Sequence, residues 1–180
     1  MSAVSMMMML GTSALQLQNA VNPLTLSADR NTWSGYTIRQ IISVSNIIKS
    51  GTGGIKVTLE APAGAPLAVL AAYIGERSGA TTSFVSTPVQ LLWGGSGTPT
   101  ITAGTSLASD TAAFNISGSS DLIIAVYANQ ASRREKTGAT TGYASWYKAG
   151  NDASTVSTSG YTDFSGTAAV TDFKALQVYA

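Results

Sequence analysis

Turn chemistry recurs about every ten residues along most of this chain, leaving only short runs between the breaks. The breaks read GTGG at Gly51–Gly54, PAGAP at Pro62–Pro66, GGSGTP at Gly94–Pro99, TAGT at Thr102–Thr105 and SGSSD at Ser117–Asp121. Such spacing leaves room for strands and little for helices of ordinary length. Within Ile55–Glu60 (IKVTLE) apolar and polar residues alternate, Ile55, Val57 and Leu59 against Lys56, Thr58 and Glu60. This period of two marks a strand with one face buried. Tyr36–Ile48 is rich in β-branched residues, and Leu67–Ile74 (LAVLAAYI) is a nearly continuous apolar strand. Further strands are expected over Phe84–Trp93, Thr98–Thr102, Ser106–Ile116, Leu122–Ala128 and Ala175–Tyr179. No helix longer than two turns is expected after residue 35, while Ala14–Val21 allows a short one. The pattern predicts an all-β fold, a jelly-roll-like antiparallel β-sandwich over residues 31–180 with an N-terminal extended arm over residues 1–30.

The surface chemistry is close to neutral. Charged residues make up 11% of the chain, against about 25% in an average globular protein, and the net charge is +1. That offers no basic footprint for phosphate, so no nucleic-acid partner is expected. No run reaches the length of a membrane-spanning helix, and no membrane span is expected. Cysteine and histidine are both absent. Disulfides, thiolate zinc and cysteine nucleophiles are thereby excluded, and so is the usual general base of serine and cysteine hydrolases.

The remaining routes to catalysis are thin. The serines have no histidine partner and no G-x-S-x-G elbow. The carboxylates Glu60, Glu76, Asp110, Asp121, Glu135, Asp152, Asp163 and Asp172 read as solvated-face or turn residues rather than a glycosidase pair. An oxygen-ligated calcium near Asn151, Asp152 and Asp163 has no regular ligand spacing behind it. GGSG at Gly94–Gly97 lacks the Lys-Ser/Thr of a phosphate loop and reads as a hairpin turn. The chain is expected to be no enzyme, with no cofactor and no metal.

Two segments stand out as contact surfaces. The opening SAVSMMMMLG has no basic residue before Arg30, too short an apolar run and no convincing cleavage site for a secretory signal. Met6, Met7, Met8, Met9 and Leu10 are expected to serve as an assembly arm that fills an irregular groove on a partner. Arg133–Thr167 reads as a loop-rich stretch carrying a tryptophan, three tyrosines and four of the ten basic residues. Its aromatics Tyr143, Trp146, Tyr147 and Tyr161 offer flat faces to sugar rings. Arg133, Arg134 and Lys148 suit acidic sugars or carboxylates. Trp146 and Tyr147 fall on opposite sides of any strand, so one of the pair belongs to the core.

Across residues 36–128 the run YTIRQIISVSNI, GGIKVTLEAPAGAPLAVLAAYIG, VQLLWGGSGTPTITAGTSLASD and SSDLIIAVYA resembles a known module. It is similar to the non-catalytic β-sandwich that precedes the catalytic domain of some secreted SGNH/GDSL-type hydrolases, and to modules of phage and gene-transfer-particle spike or tail-fibre proteins. The matching positions are Arg39, Gln40, Pro66, Leu67, Gly94, Gly95, Ala103, Gly104, Asp110, Asp121 and Leu122. The resemblance covers about half the chain and transfers no catalytic residue. It implies a virion accessory protein, a head spike or tail-fibre component assembled in the host cytoplasm, with other virion proteins held through the arm. Such a protein would be a homo-oligomer that attaches to host-surface glycan through Arg133, Arg134, Tyr143, Trp146, Tyr147 and Tyr161. A capsid-cementing or fibre-base protein without glycan binding, and a free-standing extracellular carbohydrate-binding module, are the alternatives.

Overall fold

The computed structural model describes residues 14–31, 33–137, 140–164 and 168–180. In chain order the strands are β1 (Leu17–Asn19), β2 (Ala28–Arg30), β3 (Tyr36–Ile42), β4 (Ile55–Glu60), β5 (Leu67–Glu76), β6 (Val89–Gln90) and β7 (Thr100–Ile101). They continue as β8 (Ser106–Ala108), β9 (Leu122–Ala128), β10 (Arg133–Thr137), β11 (Tyr143–Ala149), β12 (Thr162–Asp163), β13 (Ala168–Thr171) and β14 (Phe173–Tyr179). The one helical element among the described residues is a 3-10 turn at Val44–Asn46. Every pairing is antiparallel. The larger sheet runs β12-β11-β3-β9-β5-β6, with β7 beside β5; a second runs β1-β14-β4-β8 and a third β13-β10-β2. The fold is therefore an all-β sandwich.

From β3 to β9 the longer segments alternate between layers: β3, β5 and β9 belong to the larger sheet, β4 and β8 to the second. The main core lies between these sheets. Ile55, Val57 and Leu59 of β4 meet Val69, Ala72 and Ile74 of β5 and Ile124 and Val126 of β9, with Phe173, Leu176 and Val178 of β14. Each such side chain contributes roughly 1.5–3 kcal/mol by leaving water. β9 has no polar alternation because it is buried on both faces. Ile123 and Ala125 point to the other side of the sheet, where they cluster with Ile41 and Ala71 of the neighbouring strands and with Phe84 and Ala153. There Phe84 lies so close over Gly75 that a Cβ on Gly75 would stand 2.7 Å from its ring.

Several expectations are corrected. Within the described residues before residue 31, β1 pairs with β14, β2 pairs with β10, and Ala20, Val21 and Leu26 are buried in the main core. Residues 17–19 are strand rather than helix, because pairing to β14 satisfies their backbone. The assembly residues Met6, Met7, Met8, Met9 and Leu10 lie outside the described residues. Phe84–Trp93 and Ser106–Ile116 shrink to β6 and β8 plus isolated bridges at Phe84, Trp93, Ala112 and Ile116.

The stretch expected as loops carries β10 and β11. In β10 even the inward positions are charged, since Arg133 and Glu135 are both buried. Arg133 bonds the Asp172 carboxylate and donates to the Tyr36 carbonyl at 3.0 Å, while Arg30 meets Glu135 at 2.6 Å. Asp172 joins β13 to β14 at φ 57°, a left-handed conformation that Asp tolerates better than most residues.

Candidate functional site

At one end of the sandwich, three connections leave a groove of about 320 Å³. The first is the β1–β2 crossover, which bends at Ala20 and Val21 and brings Asn22 and Leu24 to the rim; the Leu24 amide donates to the Lys174 carbonyl at 2.8 Å. The second is the 3-10 turn, which contributes Ser45 and Asn46, with Ile48 just beyond. Its start is fixed by Asp121, which accepts from the Val44 amide at 2.8 Å, and its exit by the Ile48 amide donating to Ala20 at 2.8 Å. The third is the turn into β11, which supplies Thr140, Thr141 and Tyr143.

The second and third walls are tied together. The Ser43 amide donates to the Gly142 carbonyl at 2.7 Å, and Asn46 Nδ2 donates to the Thr141 carbonyl at 2.9 Å. The contact requires a glycine at 142, because φ is 77° there and a Cβ would stand 2.5 Å from Asn46 Nδ2.

Chemically the groove is mixed and uncharged. The carboxamides of Asn22 and Asn46 and the hydroxyls of Ser45 and Thr141 share the lining with Leu24, Ile48 and Tyr143. Tyr143 packs inward on the main core, its ring 6.5 Å from that of Phe173. Burial pushes its hydroxyl above the ordinary tyrosine value, so the group stays protonated near neutral pH. Thr140 Oγ1 is enclosed in the wall without a hydrogen bond.

Of the six expected glycan contacts, only Tyr143 lines this groove. Arg133 is 0% exposed and bound to Asp172. Arg134 is held by Asp29 at 2.8 Å and Glu60 at 3.1 Å, with its remaining nitrogen on the Leu26 carbonyl. Tyr147 belongs to an aromatic cluster, 4.5 Å from the Trp33 ring and 4.9 Å from Phe164. Trp146 points the other way and packs on the outer cluster around Ile41 and Ala153. Tyr161 roofs Arg39: its hydroxyl accepts from Arg39 Nε at 3.0 Å, and the guanidinium lies 5.1 Å from the ring centre. Lys148 is paired with Asp152 at 3.1 Å. The structure thus disperses the set over both faces of the larger sheet and over β10 of the third.

The carboxylates hold the fold. Glu60 accepts from Arg134 and Lys174, Asp121 meets Arg77 at 3.0 Å, and Glu76 accepts from Ser117 at 3.0 Å. Asp110 accepts from the Gly94 and Gly95 amides at 3.0 and 2.7 Å, which makes GGSG a capped turn. Those two bonds draw its pKa below the ordinary value. Among the described residues no three Asp or Glu side chains cluster as a metal site would need.

Sequence reasoning did not single out Asn22, Leu24, Ser45, Asn46, Ile48, Thr140 or Thr141. The available signal was local: an Asn-Pro dipeptide, a Ser-x-Ser-Asn cap and a Thr-Thr-Gly turn opening an aromatic strand. Their convergence depends on which strands pair, and spacing along the chain does not encode it. No protein-family model matches the chain, and no curated protein matches it.

Proposed function

We propose that this chain is a virion accessory protein: a non-catalytic β-sandwich, displayed on a phage-type particle, that attaches to host-surface glycan through the groove at Tyr143. The observation that carries the reading is the groove itself, in which a half-buried tyrosine ring stands among amides and hydroxyls with no charged side chain in the lining. Sugars bind such surfaces by stacking a C–H face on an aromatic ring and exchanging hydroxyl hydrogen bonds with neutral partners. Engagement of the carboxylates in ion pairs, turns and hydroxyl bonds supports a binding role over a hydrolytic one. The virion context rests on the resemblance over residues 36–128 and on the methionine-rich opening, with homo-oligomeric display multiplying weak contacts.

The test is titration of the full chain with host-surface polysaccharide, followed by ligand-observed NMR. Saturable binding that falls about tenfold in Tyr143→Ala, with the melting transition retained, supports attachment. Absence of saturable binding at millimolar sugar favours the capsid-cementing alternative.

A further inference from the structure

The chemistry of the groove reaches beyond glycan in general. We infer that its ligand is an uncharged pyranose carrying a methyl group, as in an acetamido or 6-deoxy sugar, with the methyl seated against Leu24 and Ile48. This rests on the reading of the groove as a saccharide site.

Electrostatics favour a neutral ligand. Among the described residues, none that line the groove is charged. The cations that sequence reasoning offered to acidic sugars are all engaged: Arg133 by Asp172, Arg134 by Asp29 and Glu60, and Lys148 by Asp152. A carboxylate placed in the groove would lose water and gain no counter-charge, which neutral hydroxyls repay poorly. A neutral ring meets no such penalty, and hydroxyl and carboxamide groups serve as both donor and acceptor for its hydroxyls.

The apolar side of the groove favours a methyl group. Leu24 and Ile48 stand with the Tyr143 ring in a groove that is otherwise lined by Asn, Ser and Thr. Ile48 is 56% exposed, two residues beyond the Val44–Asn46 turn. An unsubstituted hexose turns hydroxyls toward every edge, and these would be left unpaired against Leu24 and Ile48. A methyl group removes that mismatch and lets the two side chains shed water, while Asn22 and Asn46 remain for polar groups on the same sugar.

The experiment compares glucose, N-acetylglucosamine, rhamnose and glucuronate as probes on the full chain at about 50 and 500 mM salt. Both methyl-bearing sugars are expected to bind about fourfold more tightly than glucose, the gain expected of one buried methyl. Their affinity should not change with salt, and glucuronate should bind most weakly. Ile48→Ser, at an exposed position, should erase the methyl preference, so that the methyl-bearing sugars bind no more tightly than glucose. Equal affinity for glucose and the methyl sugars, or tighter and salt-sensitive binding of glucuronate, overturns this inference while the saccharide site stands. Failure of all four sugars to saturate overturns the inference and the saccharide site together.

Discussion

Arg39 donates through Nε to the Tyr161 hydroxyl at 3.0 Å, and its guanidinium also lies between the Tyr161 and Phe84 rings, 5.1 and 4.5 Å from their centres. The other two nitrogens donate to the carbonyls of Thr82, Asp152 and Thr155, so one side chain in the middle of β3 holds two covering loops on the outer face of the larger sheet. Arg39→Met fills similar space and leaves those carbonyls unpaired. Its expected cost is about 3 kcal/mol. Amide hydrogen exchange should show faster exchange over residues 77–85 and 150–161 before any change in β4 or β14. Uniform acceleration across both sheets would mean that Arg39 supports the whole sandwich rather than these loops.

The buried pair of Arg133 and Asp172 makes a different prediction. Both side chains are almost fully enclosed, and Asp172 also accepts from the Arg134 amide at 3.0 Å. Arg133→Met and Asp172→Asn each strand one member of the pair, and each is expected to destabilise by about 3–5 kcal/mol. Because both single changes lose the same contact, the double variant should lose clearly less than their sum. Urea unfolding of all four proteins measures this directly, and strict additivity would show that the two residues act independently.

These two arginines also show where sequence reading succeeded and where it could not. The strands with a clean apolar signal, Ile55–Glu60 and Leu122–Ala128, appear as β4 and β9 with the same bounds. Asp110 and Asp121, read as turn residues, do cap turns. Trp146 and Tyr147 do face opposite ways, as alternation requires. β10 escaped notice because RREKT buries its charges: polarity marks a solvated face only when the partners are also in water, and Glu135 finds Arg30 while Arg133 finds Asp172. Of the site, Tyr143 was legible as an aromatic in a polar stretch. The residues that surround it come from three connections distant in sequence, and only tertiary pairing assembles them.

Acid sensitivity follows from Glu60. Burial alone would raise its pKa, but hydrogen bonds and charge from Lys174 and Arg134 outweigh it and hold the carboxylate below its ordinary 4.5. Asp152 is likewise held below 3.8: burial opposes this, and the Thr155 and Lys148 hydrogen bonds and the Lys148 and Arg39 charges prevail. A depressed carboxylate contributes stability that is present above its unfolded pKa and lost as pH falls through the folded one. Asp172 runs the other way, since burial raises its pKa against the pull of Arg133. Its contribution therefore declines as pH rises from 3.8 through the folded value. Glu60→Gln should lower stability at neutral pH and flatten the loss on acidification below about pH 4.5. Urea midpoints across the acid range decide the matter, and an unchanged slope would remove Glu60 from the account.

Thr140 offers a gain instead of a loss. Its hydroxyl is enclosed without a hydrogen bond, so the turn into β11 carries a buried polar group that water would otherwise satisfy. Thr140→Val replaces that hydroxyl with a methyl of nearly the same shape. The variant is expected to be more stable by about 1 kcal/mol, because the desolvated group is removed and no partner is lost. A rise in the urea midpoint at constant m-value is the signature. A fall would show that the hydroxyl does find a partner in solution.

Gly142 links the turn to the opposite wall of the groove, and two penalties meet there. Any side chain must adopt φ near 77° and must also displace the Asn46 amide, which would stand 2.5 Å from the new Cβ. The backbone term costs roughly 1–2 kcal/mol. The steric term is soft, because Asn46 can rotate, but rotation breaks its bond to the Thr141 carbonyl and opens the groove. Gly142→Ala should therefore lose both stability and sugar affinity. Adding Asn46→Ala relieves the contact and leaves the backbone strain, so the double variant should regain part of the stability and none of the affinity. Thermal melts with parallel sugar titrations separate the terms. Recovery of affinity in the double variant would show that the Asn46 amide takes no part in the groove, leaving Tyr143 and the hydroxyls to form it.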